Sequence, residues 1–276
     1  MVERRRISTK AATRGGSEEE SPLFVQSVDK AMKVLMAFDG SKRQLTLTEI
    51  AALTDLDTSA AQRFTHTLTA LGYLVKDGRK YELSVRLLDF TYHYLASSEL
   101  VQRATPVLQA LARETEEACN LTVADGADIV FVLRIISRHA LNPNVIVGTR
   151  LPAYCTAPGL AILSTWSPEM VEDTLARSQL LKHTSRTITD PRRIKARLAR
   201  IRAAGYALTE EELYPDDIST AAPVLDAQGR AIGALNIAVS RARWDPEVSE
   251  VRYAQLLRTA AASISAPRLP HQAAAG

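Results

Sequence analysis

Apolar side chains at Val28, Ala31, Met32, Val34, Leu35 and Phe38 return at helical spacing, and Gly40 closes the run, which predicts a first helix. In "TLTEIAALTD", Thr46 and Glu49 stand at capping-box spacing: the hydroxyl accepts from the amide three residues on, and the carboxylate accepts from the cap amide. A short second helix should follow to about Thr54. "DLD" then breaks the pattern, and Asp57 or Thr58 can cap a third helix with Ala61, Phe64, Leu68 and Leu71 on its apolar face and Gly72 at its end. Two helices joined this tightly form a helix-turn-helix, whose second member is the one that enters a groove. "YLVKDGRKYEL" alternates around Asp77-Gly78, a dipeptide suited to a tight hairpin turn, and so predicts a wing. Leu83, Leu87, Leu88, Phe90, Tyr94 and Leu95 resume helical spacing until "ASSEL" loosens the chain near Ser98.

Beyond that boundary the pattern changes character. Thr105-Pro106 reads as a cap followed by a first-turn proline, opening a helix through Leu108, Leu111 and Ala112 to Ala118. "NLTVADGADIVFVLRIIS" predicts a hairpin turned at Gly126, and "ALNPNVIVG" a further strand leading into "GTRLPAYCTAPGLAILS". Helices should start at Ser167-Pro168 and at Thr189-Asp190-Pro191. The second of these carries Arg192, Arg193, Lys195, Arg197, Arg200 and Arg202 on what reads as a solvated face, and Gly205 ends it. Strands in "YALTEEE" and "ISTAAPVLDAQGRAIGALNIAV" and a final helix from Pro246 to about Ser263 complete a mixed sheet with helices. The predicted class is α+β: an N-terminal winged helix-turn-helix over 23–83, a linker helix over 84–98 and a mixed α/β domain over 99–265. The polar arm 1–22 and the tail 266–276 are expected to be disordered.

Composition narrows the function classes. The chain has 276 residues, 46% hydrophobic and 24% charged, ordinary values for a soluble protein long enough to bury two cores. Its longest apolar runs, such as 129–136, fall far short of a membrane span, and the N-terminus carries positive charge without the apolar stretch of a secretory signal. A cytoplasmic protein with no membrane partner is expected. The two cysteines, Cys119 and Cys155, lack CxxC spacing, so neither a disulfide framework nor a zinc site is predicted, and no motif calls for a cofactor or metal. The net charge of +3 decides little, but five basic residues against two acidic ones between 58 and 86 make a local patch suited to phosphates.

The exposed side of the third helix holds Thr58, Ser59, Gln62, Arg63 and, one turn on, His66, with the small Ala60 permitting close approach or a thymine methyl contact. Hydroxyls position on phosphates, glutamine pairs with adenine edges, and arginine takes guanine bidentately. Arg79 and Lys80 at the wing tip would hold backbone phosphates of double-stranded DNA. An ordinary helical cluster explains the apolar pattern equally but not this surface. Cys155, between Tyr154 and Thr156, has three readings: a nucleophile of a thiol-dependent enzyme acting on a small acyl substrate, a small residue of a turn, or the liner of a ligand pocket. Cys119 reads as core.

Taken in order, these blocks resemble the IclR family of bacterial transcriptional regulators over nearly all of 24–265. The resemblance rests on "LTLTEIAALTDLDTSAAQRFTHTLTALGYLVKDGRKYELS", on "LPAYCTAPGLAIL" and on "TEEELYPDDISTAAPVLDAQGRAIGALNIAV". "GTRLPAYCTA" looks most like the branch governing aromatic acid breakdown through the β-ketoadipate route. The resemblance implies a non-enzymatic, ligand-responsive regulator with a GAF-like effector domain, a homodimer or dimer of dimers, and a palindromic operator. It places effector contacts on Ala157 and Pro158, on Glu210 or its neighbour Thr209, and on Ser219, Asn236 and Ala238, with Tyr154, Cys155 and Thr156 along the adjoining wall. For a small organic acid the donors would be Thr156, Ser219, Asn236 and the amides around Ala157-Pro158, with Arg150 a further candidate. This chain departs from the family pattern at Pro158, at Leu160 where a basic residue is usual, and near Asp216 where a glycine is expected.

Overall fold

The computed structural model describes residues 21–40, 42–137, 139 and 145–266, and contacts divide the chain between Ser97 and Ser98. The expected disorder of the arm and tail falls on residues almost all outside the described ones.

The first unit runs α1 (Gln26–Met36), β1 (Leu45–Thr46), α2 (Leu47–Thr54), α3 (Thr58–Ala70), β2 (Leu74–Asp77), β3 (Lys80–Leu83), a 3-10 turn (Val85–Leu87) and α4 (Leu88–Ser97). The α2 cap is reciprocal: the Glu49 amide donates to Thr46 Oγ1 at 3.3 Å and the Thr46 amide donates to Glu49 Oε2 at 2.9 Å. Lys42 lies 2.7 Å from the same carboxylate, and these bonds hold Glu49 at a pKa of about 2. Asp55, at φ 55, turns the chain in the left-handed region, and Asp57 accepts from the Ala60 amide at 2.7 Å to start α3. Val34, Leu45, Ile50, Leu68, Leu74 and Tyr81 close the core beneath these helices. In the wing Asp77 pairs with Lys80, so Gly78 and Arg79 form the two-residue loop, with Gly78 at φ 58.

Some expectations for this unit change. Leu71 lies just past α3 and is exposed, because Gly72 turns the chain before it can reach the core. Val28 and Met32 also stay exposed, leaving Val34 as the buried residue of α1. The predicted linker helix is present, yet none of α4's residues is buried.

The second unit contains α5 (Glu99–Thr115), β4 (Ala118–Asp125), β5 (Asp128–Ile135), β6 (Arg150–Pro152), a 3-10 turn (Ala153–Cys155), α6 (Ala157–Leu163), α7 (Pro168–Arg177), α8 (Pro191–Ala204), β7 (Ala207–Glu210), β8 (Asp217–Leu225), β9 (Ala231–Ser240) and α9 (Ser249–Ile264). Among the described residues, six antiparallel strands form one sheet in the order β6-β5-β4-β9-β8-β7. Helices α5 and α9 touch each other and the sheet, whereas α6 packs on the sheet and in turn against α8. The first helix starts earlier than Thr105-Pro106: Ser98 accepts from the Val101 amide, and Pro106 sits inside the helix. The buried stripe Ala104, Leu108, Leu111 and Thr115 carries the helix past the proline. The helix stops at Thr115, so Ala118 and the buried Cys119 belong to β4. The strand expected in "ALNPNVIVG" is not formed at 145–148, and 140–144 lie outside the described residues. The last helix begins at Ser249, three residues after Pro246.

The basic face of α8 is not simply solvated. Arg197 pairs with the buried Glu212 at 2.8 Å, Lys195 with Glu172 at 2.6 Å, and Arg202 donates to the Ser164 and Trp166 carbonyls. Asp216, near which the resemblance led us to expect a glycine, adopts φ 61, a backbone state that glycine favours.

Helix α6 is buried along its whole length, and Gly159 allows it to sit on the preceding turn: a Cβ there would stand 2.2 Å from the Ala153 carbonyl oxygen. Gly159→Ala should therefore destabilise the second unit by about 1–3 kcal/mol or more. Urea unfolding followed by tryptophan fluorescence, with Trp166 as reporter, would measure the loss.

Candidate functional site

Two sites emerge, one in each unit. On α3, Thr58, Ser59, Gln62, Arg63 and His66 are exposed on the side opposite the buried Ala61, Thr65 and Leu68, with Ala60 half-buried beside them. Thr67, beyond the residues expected from the sequence, shares this exposed surface. Arg79 at the hairpin tip and Lys80 beside it are exposed. Arg86, counted with the basic patch, is engaged instead: its Nη1 donates to the Leu71 carbonyl at 3.0 Å and its guanidinium lies 5.6 Å from the Tyr73 ring centre. It closes the end of α3.

In the second unit a cavity of about 60 Å³ lies between α6 and the sheet. Cys155, Thr156, Ala157, Pro158, Thr209, Ser219, Asn236 and Ala238 line it together with Ala118, Asn120, Ile129, Phe131, Arg134, Val145, Leu151, Leu213, Tyr214, Asp217 and Val239. In the antiparallel register Ser219 stands opposite Ala238, and Asn120 opposite both Asn236 and Arg134. The residues taken from the strands thus meet through sheet pairing. Asn236 Nδ2 donates to Ser219 Oγ at 3.0 Å, and Arg134 Nη1 donates to Asn120 Oδ1 at 2.9 Å. Asn120 Nδ2 and Asn236 Oδ1 are buried without a hydrogen-bond partner among the described residues. Each such atom costs about 1–3 kcal/mol unless something bonds it, so the cavity is chemically unfinished. Larger grooves, about 1280 Å³ between α8 and α9 and about 1020 Å³ between α5 and α9, are lined by none of these atoms.

Two expected wall residues stand elsewhere. Tyr154 is buried but does not line the cavity; its hydroxyl donates to the Leu181 carbonyl at 2.5 Å and its ring stacks on His183. Glu210 turns to Arg186 at 3.6 Å and Arg241 at 3.5 Å, leaving its neighbour Thr209 on the cavity side, as strand alternation requires. Thr156 lines the cavity but its hydroxyl donates to the Pro152 carbonyl at 3.0 Å, and Pro158 brings no amide hydrogen. Arg150 is held by Asp125 at 2.8 Å and Asp128 at 3.4 Å. Leu160 is fully buried in the core and does not line the cavity.

Burial pushes the Cys155 thiol up to about 12, with Glu212 adding to the rise and Tyr154 and Arg197 opposing it. A thiol so protonated at neutral pH is a poor nucleophile. No cluster of three or more metal-ligating side chains occurs among the described residues.

The cavity also holds a charged pair, Arg134 and Asp217, beyond the residues expected from the sequence. Arg134 interrupts the apolar run "VFVLRII" of β5, a signal available in the sequence, whereas Asp217 follows a loop and is brought to the cavity only by the fold. Loss of water pushes Asp217 up to about 6 against the pull of Arg134, although the residue as a whole is only half-buried.

Comparison with known proteins joins the two sites. Residues 27–78 match the IclR helix-turn-helix domain and residues 92–266 the bacterial transcriptional regulator IclR C-terminal domain. The chain is 33% identical to the Pca regulon regulatory protein of Pseudomonas putida, over 87% of this chain and 82% of that one. It is 32% identical to the p-hydroxybenzoate hydroxylase transcriptional activator of Acinetobacter baylyi, over 86% and 90%. An IclR homolog from Microbacterium hydrocarbonoxydans, crystallised in complex with 4-hydroxybenzoate, superposes with a TM-score of 0.74 at 25% identity, covering 87% of this chain and 97% of that one. With a helix-turn-helix unit and an effector-type unit both matched along the chain, this protein belongs to the IclR family of DNA-binding bacterial transcriptional regulators.

Proposed function

We propose that this regulator changes its affinity for a palindromic operator when a small aromatic acid binds the cavity beneath α6. The observation that carries the reading is the cavity itself: an apolar and aromatic wall, Ile129, Phe131, Leu151 and Leu213, with buried polar atoms of Asn120 and Asn236 that have no partner among the described residues. The names of its relatives support the effector class, since two of them concern Pca and p-hydroxybenzoate genes and one structure contains 4-hydroxybenzoate. In this reading Cys155, Thr156, Ala157, Pro158, Ser219, Asn236 and Ala238 contact the effector, and Cys155 is a polarizable liner.

On the DNA side Thr58, Ser59, Ala60, Gln62, Arg63 and His66 face the major groove, while Arg79 and Lys80 hold phosphates. The protein works in the cytoplasm as a homodimer or dimer of dimers. The exposed apolar residues of α4, Leu88, Phe90, Tyr92 and Tyr94, suit a self-association surface. No helix among the described residues is long and apolar enough to cross a membrane. An effector can shift operator binding only by its different affinities for two states of the protein.

Three outcomes are expected. Arg63→Ala should reduce discrimination between operator and unrelated DNA by about 1–3 kcal/mol in competitive gel shifts, with effector binding unchanged; undiminished discrimination would remove α3 as the reading helix. Ser219→Ala and Asn236→Ala should each weaken 4-hydroxybenzoate binding by about 0.5–1.5 kcal/mol in isothermal titration, against the unmodified protein. Cys155 should resist iodoacetamide at neutral pH in the folded protein, and rapid labelling would reopen the thiol-enzyme alternative.

A further inference from the structure

The cavity holds two opposite charges of its own. Arg134 reaches it from β5 and Asp217 from the start of β8, and each acts on the other: the aspartate supports the guanidinium's charge, and the guanidinium draws the carboxyl down against its burial. Asn120, directly across the ladder from Arg134, gives its oxygen to the guanidinium and so turns its Nδ2 away, buried and without an acceptor among the described residues. A guanidinium with an amide donor beside it is a receptor for a carboxylate. We propose that Arg134 and Asn120 receive the carboxylate of the effector in competition with Asp217, so that effector uptake draws a proton onto Asp217. The proposal rests on the reading of this cavity as the aromatic acid site.

The linkage follows from charge. A second carboxylate on the same cation leaves two anions in one enclosed site, and two such groups cannot both remain ionised at low cost. The free Asp217 is already raised by burial, and losing Arg134 to the effector raises it further. Between the free and the bound pKa the complex holds one more proton than its separated partners, so affinity falls as pH rises, by at most tenfold per unit. Below the free value Asp217 is protonated in both states and the dependence vanishes. The other groups around Asp217 leave this titration to it. Tyr214 on the preceding loop feels the aspartate and is raised, away from neutral pH; Cys155 across the cavity is protonated. Glu211 bonds Asp217 only through its backbone amide at 2.7 Å, its side chain and that of Glu210 being turned to Arg186 and Arg241. Glu212, raised by burial against the pull of Arg197, and His183, lowered by burial and stacked on Tyr154, both stand outside the cavity lining, and Asp217→Asn separates their titration from that of the aspartate.

The test is isothermal titration of the full chain with 4-hydroxybenzoate and with its neutral analogue 4-hydroxybenzamide, from about pH 6 to 8, where the acid's own groups keep their charge. Buffers of different ionisation enthalpy report the protons exchanged. The unmodified protein should prefer acid to amide and take up as much as one proton per acid bound, with affinity declining above about pH 6. Arg134→Gln should cost about tenfold to a hundredfold for the acid and little for the amide, erasing the preference. Arg134→Lys, which keeps the charge, should retain part of it. Asp217→Asn should bind the acid more tightly at pH 8 and show neither slope nor proton uptake. Binding of the acid to Arg134→Gln with the preference intact, or a pH slope surviving in Asp217→Asn, would overturn the proposal while leaving the aromatic acid reading in place. If 4-hydroxybenzoate fails to bind the unmodified protein at every pH, both fall together.

Discussion

The effector unit depends on a close approach that only a missing side chain permits. Because Gly159 lets α6 settle against the backbone of Ala153, the seven-residue helix lies flat in the core, and the residues at its start form a wall above β8 and β9. A wider separation would open the cavity to water, and the polar strand residues Asn120, Ser219 and Asn236 would lose the low-dielectric surroundings in which a hydrogen bond to a ligand discriminates strongly. The sheet supplies the second constraint. Antiparallel pairing fixes Asn120 between Arg134 and Asn236, and Ser219 opposite Ala238, so the cavity's chemistry comes from four strands held in one register.

The reading head has a simpler logic. Its caps, the Asp55 turn and the Gly78 loop are determined within a few residues, and a small core centred on Ile50, Leu68 and Leu74 then leaves one side of α3 in water. Polar and basic side chains on that side are free to meet a groove, whereas Arg86, close in sequence, is drawn into closing the α3 terminus.

How much of this was legible in the chain follows the range of the interactions. Local signals such as Thr46 with Glu49, Asp57, Gly126 and Gly205 placed their elements correctly, because each cap or turn is settled by neighbours. Thr105-Pro106 misled for the same reason: a good local start signal was overridden by a buried stripe running from Ala104 to Thr115. Leu71 and the expected strand near Val145 failed where a turn outweighed apolar periodicity. In the cavity, the strand positions Asn236 and Ala238 are readable from alternation and Ser219 from family resemblance, and of the pair Glu210 and Thr209 it is Thr209 that lines the cavity, whereas Tyr154 packs outside it. Arg134 is marked in the sequence as a charge within an apolar strand, whereas Asp217 carries no such mark, since its burial depends on residues far along the chain.

Coupling between the two units is the central claim, and thermodynamic reciprocity gives it a direct measurement. Operator affinity by fluorescence anisotropy, with and without saturating 4-hydroxybenzoate, and effector affinity by titration, with and without saturating operator, should change by the same factor and in the same direction. Operator binding that is identical at zero and saturating effector, while the effector demonstrably occupies the cavity, would contradict the account.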